Sequence, residues 1–284
     1  MVEQSLVFSV KNQKFSPIRS GPIARRENSI EYFRVRLPMA MRTACIALLM
    51  SASYVSAHAE DLLAWINAMS PAYAGVQDYT ATFMRFEVLR GKQRPQEVIA
   101  LKFRKPMEVY MRWLSESGKD REAIFVKGRD NDRVLVHEPG WLLGHFTAAV
   151  PTDGSDIMDR SRHPFDEIGI GRMIDLLIST FEKANAAGEL RLLDRGTVQE
   201  AGRSLRLVEG ILPRSPAKKY YCYRAIVTID EGWKLPVAVK VYDWDDRLVE
   251  HYRYSDIQIN PGLSDLDFDP KNPAYDFPER RFKR

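Results

Sequence analysis

The sequence predicts an α+β protein built on a mainly antiparallel sheet of about ten strands, with one helix ahead of the sheet and one in mid-chain. Three observations carry this. From Tyr79 onward, short stretches rich in Val, Ile, Phe and Tyr alternate with turn clusters. The first five are joined by links too short for the crossovers that parallel strands need. Only two stretches space their apolar residues as a helix does.

The strand-rich body does not begin at residue 1. Residues 39–59, "MAMRTACIALLMSASYVSAHA", give a positive Arg42, a short apolar run from Ala44 to Met50, and a small-x-small site at Ala57-His58-Ala59. That is the form of a secretory signal cleaved after Ala59, and the run is too short to span a bilayer. Residues 1–38 are polar and aperiodic, and we expect a disordered extension from an upstream start codon, with translation beginning at Met39 or Met41. Cys45 lies in the signal without the apolar run that a lipid-anchor motif needs. Cys222 alone remains after cleavage, so no intrachain disulfide is expected.

Residues 60–74, "EDLLAWINAMSPAYA", place Leu62, Leu63, Ile66 and Met69 at helical spacing behind two acids that suit a helix N-terminus. Five strands follow: "YTATFMRFEVL", "EVIALKFR", "MEVYMRWL", "REAIFVK" and "RVLVHE". Residues 139–163 read as a loop. The stretch "HPFDEIGIGRMIDLLISTFEKANAAG" then gives a helix with Ile170, Met173, Ile174, Leu177, Ile178 and Phe181 near one face, Pro164 at an early position and Gly188 past its end. Five more strands are read in "RLLDRGTVQEA", "RSLRLVEGIL", "YYCYRAIVTID", "LPVAVKVYDWD" and "RLVEHYRYSDIQIN". The proline-rich tail should be irregular and lie over the surface. The folded domain is placed at 60–275, with 276–284 a basic tail.

Alternation along the strands sorts side chains by face. Met107, Val109, Met111 and Trp113 share one face, as do Ile99, Leu101 and Phe103. Met84, Phe86 and Val88 share a face opposite Phe83, Arg85 and Glu87, and Leu248, Glu250, Tyr252 and Tyr254 fall together. A packed core accounts for most of this pattern. A concavity lined by Met, Phe, Trp and Tyr for an alkyl-bearing ligand is the sharper alternative.

Other chemistries find little support. The net charge is +4, but residues 60–284 carry 34 Lys/Arg against 35 Asp/Glu, so a basic stripe for nucleic acid is not expected. His137, His145, His163 and His251 lack metal-binding spacing, "DGSDIMD" lacks the closing glutamate of a calcium loop, and no glycine-rich phosphate loop occurs. No metal or cofactor is expected. "SRHPFDEIGIG" brings Ser161, His163, Asp166 and Glu167 close in sequence but without the nucleophile elbow of hydrolases, so helix initiation is favoured over catalysis.

The order of elements, the basic-residue-plus-proline turn before "YMRW", and the closing "LPVAVKVYDWDDRLVEHYRYSDIQINPGLSDLDFDP" resemble the outer-membrane lipoprotein carrier (LolA-like) fold. More closely, "YTATFMRFE", "FRKPMEVYMRW", "IFVKGRDNDRVLVH", "SRHPFDEIGIG" and "INPGLSDLDFDP" are similar to a bacterial exported family, domain of unknown function 1571, over roughly residues 60–275. The resemblance implies an open half-barrel with the N-terminal and mid-chain helices as a lid. It implies that acyl chains sit inside, and that an arginine before the proline of the second-to-third strand turn governs closure. Lys105 stands at that place, with Arg104 one residue earlier, and an ammonium lacks the planar fork of a guanidinium.

We therefore expect an apolar cavity of Met84, Phe86, Leu101, Phe103, Met107, Val109, Met111 and Trp113. Arg104, Lys105, Arg112, Arg162 and His163 are expected as gating or head-group residues, with no catalytic residue. The expected function is non-enzymatic binding or carriage of a lipid or acylated envelope molecule in the periplasm. Alternatives are an envelope-stress sensor or interaction module that meets an envelope membrane protein, and then a hydrolase centred on His163. The sequence leaves the oligomeric state open.

Overall fold

The computed structural model describes residues 61–139 and 147–278. The expected extension, the signal with its cleavage site, His145 and residues 279–284 of the basic tail lie outside the described residues.

Among the described residues twelve strands form one sheet: β1 (Asp78–Leu89), β2 (Lys92–Gln93), β3 (Glu97–Arg104), β4 (Glu108–Trp113), β5 (Glu122–Val126), β6 (Arg133–His137), β7 (Thr147–Pro151), β8 (Arg191–Glu200), β9 (Arg203–Ile211), β10 (Arg224–Asp230), β11 (Pro236–Tyr242) and β12 (Leu248–Ile259). They lie in the order β7-β6-β5-β4-β3-β1-β12-β11-β10-β9-β8, with β2 a short arm on β1. Every pairing is antiparallel and the two outermost strands do not meet, so the sheet is an open half-barrel.

Two strands were not anticipated. β7 falls in the stretch read as a loop, because Thr-Ala-Ala-Val-Pro has too few branched or aromatic side chains to show alternation. Backbone pairing to β6 makes it a strand, with Val150 opposite Val134. β2 is two residues of a turn folded back on β1. β10 also starts later than its apolar run suggests, at Arg224, and Cys222 is buried just ahead of it.

The N-terminal helix is broken in two, α1 (residues 61–67) and α2 (Met69–Ala74), with a turn at Ala68. Pro71 explains the break, since it has no N–H to give the carbonyl of Asn67. Leu62, Ile66 and Met69 are fully buried, as their spacing predicts, and Leu63 is half-buried.

After a single turn, α3 (Ser155–Met158), the chain makes a 3-10 turn at Phe165–Glu167 before the long α4 (Ile170–Ala186). Pro164 therefore begins the 3-10 turn and not the long helix. The helix starts later because Gly169, at φ +111°, reverses the chain against the rings of Tyr79 and Phe103, where a Cβ would lie 3.0 Å from each. The Tyr79 hydroxyl then accepts the Ile170 N–H at 3.0 Å. Ile170, Ile174, Leu177 and Phe181 bury the predicted face, with Met173 and Ile178 half-buried beside them. Phe181 reaches the sheet over Gly210 of β9, where a Cβ would stand 2.3 Å from the ring.

These helices and the inner sheet face make the main core. The outer face of β3–β6 is sealed by the tail, whose Phe268 and Phe277 pack with Tyr110, Ile124 and Leu135. Tail and sheet are also tied by Lys102–Asp267 at 2.7 Å, Arg104–Asp265 at 2.6 Å and Asp276 N–H to Glu122 at 2.7 Å. The packed chain thus runs through Phe277, past the expected boundary at residue 275. No helix of the described residues is long and apolar enough to cross a membrane.

Candidate functional site

Between α4, the 156–169 segment and the inner sheet face lies a cavity of about 350 Å³. Its walls are largely apolar: Phe83, Met111, Val239 and Val241 from the sheet, Phe165 and Ile168 from the connecting segment, Met173 and Leu177 from α4.

Strand register gives this cavity one charged end. The inward residues of β1 run Tyr79, Ala81 and Phe83, then Arg85 and Glu87. Opposite the last three, on β12, stand Tyr254, Tyr252 and Glu250. Across β3, Glu97 faces Arg85. Arg121 and Glu138, which pair at 2.9 Å, flank the same ends of β5 and β6. On β1 and β12 the inward face thus changes from aromatic to ionic side chains toward this end.

The 160–163 segment docks on this end. The Arg162 backbone N–H donates to Glu87 Oε2 at 3.2 Å, its guanidinium donates to Glu250 and, at 2.9 Å, to the Val88 carbonyl. His163 Nε2 lies 2.9 Å from the Tyr221 hydroxyl and 3.7 Å from Glu250, and Nδ1 lies 3.5 Å from Glu167. Tyr221 donates to Glu250 and Tyr252 donates to Glu87. Glu87 and Glu250 are 3% and 1% exposed.

Burial alone would push the Glu250 carboxyl up, but hydrogen bonding and charge from His163, with Tyr221 and Arg162, bring it below its ordinary value. Burial likewise pulls His163 down, and the hydrogen bond and charge of Glu250, then Glu87 and Glu167, raise it above the ordinary imidazole value. Burial first, then the neighbouring Glu250 charge, raises Tyr221 far beyond a usual phenol. Burial first, then the Glu250 charge, pushes the Cys222 thiol up to about 12, which favours its protonated form.

Of the eight apolar residues expected to line a cavity, Met111 and Trp113 do so. Leu101, Phe103 and Val109 are on the same inner face but are covered by the protein's own core, and Met107 packs at its edge. Met84 and Phe86 are a correction: they lie half-buried on the other face, and Phe83, Arg85 and Glu87 point inward instead. Alternation separates two faces without saying which is inside, and the hydrogen-bond donors that hold Glu87 inward, Tyr252 and the Arg162 backbone, come from far along the chain.

Of the gating residues, Arg162 and His163 are at the cavity's charged end, whereas three are not. Arg104 is on the outer face, donating to Glu108 at 2.8 Å and to the tail's Asp265 and Leu263 carbonyl. Arg112 is there too, with Asp120 at 3.1 Å and Asp276 at 3.3 Å. Lys105 Nζ donates to the Tyr73 carbonyl at 2.7 Å, closing the C-terminus of α2, and burial lowers its pKa. Neither Lys105 nor Arg104 lines the cavity.

Arg85, Glu87, Tyr221, Glu250 and Tyr252 are the site residues the sequence did not single out. The shared face of Glu250, Tyr252 and Tyr254 was the available signal. The Ser161 Oγ accepts the His163 backbone N–H at 3.2 Å while the imidazole meets Tyr221, so Ser161 and His163 are not arranged as nucleophile and base. Among the described residues no group of three or more His, Cys, Asp or Glu is placed to hold a metal ion.

The family model described as "Protein of unknown function (DUF1571)" matches residues 76–277. No curated protein matches the sequence. Among solved structures, the chain is similar to the Mycobacterium tuberculosis lipoprotein LppX at 14% identity and TM-score 0.45, covering 74% of this chain and 99% of that one. It is similar to a putative outer membrane lipoprotein-sorting protein domain from Vibrio parahaemolyticus at 12% identity and TM-score 0.35, covering 74% and 97%. A LolA superfamily protein from Nitrosomonas europaea is similar at 10% identity and TM-score 0.33, again covering 74% and 97%. Likenesses this distant carry no weight for what the chain binds.

Proposed function

The chain belongs to the DUF1571 family of proteins of unknown function, and from that premise we propose that it is a non-enzymatic cell-envelope protein that reversibly binds a lipid or other acylated molecule. One observation carries the reading: an apolar cavity of about 350 Å³, held between an amphipathic helix and the inner face of an open sheet. That volume is within the range of small-ligand sites, roughly 300–1,000 Å³. Alkyl burial supplies the affinity. Each methylene contributes about 0.8 kcal/mol, so roughly eight give about 6 kcal/mol before the cost of association.

Export, expected from residues 39–59, would place the protein among acylated envelope molecules. The test is a lipid inventory. Protein purified from its native compartment is extracted into organic solvent and the extract analysed by mass spectrometry. A near-stoichiometric lipid is the expected result, and protein that is reproducibly lipid-free, with no uptake from added lipid, would sink the proposal.

A further inference from the structure

Glu87 is an unusual group for a cavity wall. It is 3% exposed and lines the cavity, yet among the described residues no Lys, Arg or His side-chain nitrogen comes within 4.0 Å of its carboxylate. Its hydrogen bonds come from uncharged donors, the Tyr252 hydroxyl and the Arg162 backbone N–H. The cations around it are engaged elsewhere. Arg85, two residues along the same strand, is held by Glu97, with Nε at 2.8 Å. The Arg162 guanidinium is on Glu250, and His163 lies between Tyr221, Glu167 and Glu250. Glu250 stands directly across the strands from Glu87, so two buried carboxylates face the same space.

Four arginines of the described residues line the cavity, and each has a carboxylate within ion-pair distance: Arg85 has Glu97, Arg172 has Glu167, and Arg121 and Arg160 share the single Glu138. None of the four reaches within 4.0 Å of Glu87. Arg85 and His163 act on Glu87 only from beyond 4.0 Å while bonded to other carboxylates, so the buried group has no direct ion pair; a positive charge entering the cavity supplies one and a negative charge opposes it.

We propose that the charged end of this cavity receives a cationic group, and that the amphiphile bound there carries an ammonium beside Glu87 rather than a carboxylate or phosphate. This rests on the apolar-ligand reading above and adds the chemistry of the head group. The alkyl chain lies against Phe83, Met111, Val239 and Leu177, and the ammonium replaces the missing ion pair at Glu87.

Three probes with one twelve-carbon chain, below their micellar concentrations, separate the two readings: dodecylammonium, dodecanoate and uncharged dodecanol. Binding to the purified protein is followed by titration calorimetry at pH 7.5. Dodecylammonium is expected to bind at least about tenfold more tightly than dodecanoate, and Glu87→Gln is expected to shrink that ratio to within about threefold. Dodecanoate binding as tightly as dodecylammonium overturns the head-group inference while leaving the apolar-ligand reading standing if dodecanol binds. A ratio unchanged in folded Glu87→Gln overturns it as well. If none of the three binds, both fail. The ratio for the unaltered protein keeps the test decisive should the variant not fold.

Discussion

Replacing Arg162 with alanine removes the guanidinium that holds the 160–163 segment to the sheet while leaving the backbone N–H on Glu87 in place. The bond lost is to Glu250, which is 1% exposed, together with the 2.9 Å bond to the Val88 carbonyl. Removing one partner of a fully buried pair costs about 3–5 kcal/mol. Two features reduce that here. The Arg162 side chain is 32% exposed, so solvent screens part of the interaction. Glu250 also keeps the Tyr221 hydroxyl and the nearby imidazole. A loss of about 2 kcal/mol follows, which for an m-value of roughly 2–3 kcal/mol/M lowers the urea midpoint by about 0.7–1 M. Arg90→Ala is the matched control, because its pair with Asp159 is 80% and 58% exposed and should contribute almost nothing. If Arg162→Ala shifted the midpoint no more than Arg90→Ala, the clasp would have to be regarded as a surface contact.

Two further outcomes are expected. Gly210→Ala puts a Cβ 2.3 Å from the Phe181 ring; overpacking of this kind costs about 1–3 kcal/mol, a Tm loss of about 2–12 °C at this size, and Phe181→Leu in the same chain should recover part of it. Strictly additive losses would argue against that contact. His163 has a raised folded-state pKa, so its contribution is fully present below the unfolded value of about 6.5 and fades as pH rises through the folded value. His163→Gln should therefore destabilise more at pH 5.5 than at pH 8.5. Both pH values sit above the range in which the depressed Glu250 titrates, and equal losses at the two would contradict the assignment.

Strand existence was legible because the inward and outward residues of β3, β4 and β12 differ in kind along a regular period. The face with Leu101, Phe103, Val109, Met111 and Trp113 was read correctly for that reason. β1 was harder, since both its faces mix apolar and charged residues, and Arg85 and Glu87 look like a solvated edge until their partners are known. Arg85 finds Glu97 on the adjacent strand, 12 positions on, but the groups around Glu87, namely Arg162, Glu250 and Tyr252, are 75 or more positions away and are brought in by tertiary structure. β7 was missed because two alanines show no period, and the start of α4 was misplaced because Pro164 suits a 3-10 turn as well as an α-helix. Lys105 illustrates the limit of resemblance: it was expected as a gating residue, yet its reach ends on the carbonyl of Tyr73.

The middle of the sheet is the pairing of β1 with β12, the first and last strands of the order of elements, across some 160 residues of chain. That pair carries Phe83 against Tyr254 and Glu87 across from Glu250, which makes it both the keel of the core and a wall of the cavity. A ribosome has therefore nearly finished the domain before its central ladder can zip, and long-range pairings of this kind form slowly. Until then β1 has only β2 and β3 beside it. The nascent chain therefore leaves the β12 side of β1, with its aromatic Tyr79, Phe83 and Phe86, unpaired until the last strand is made.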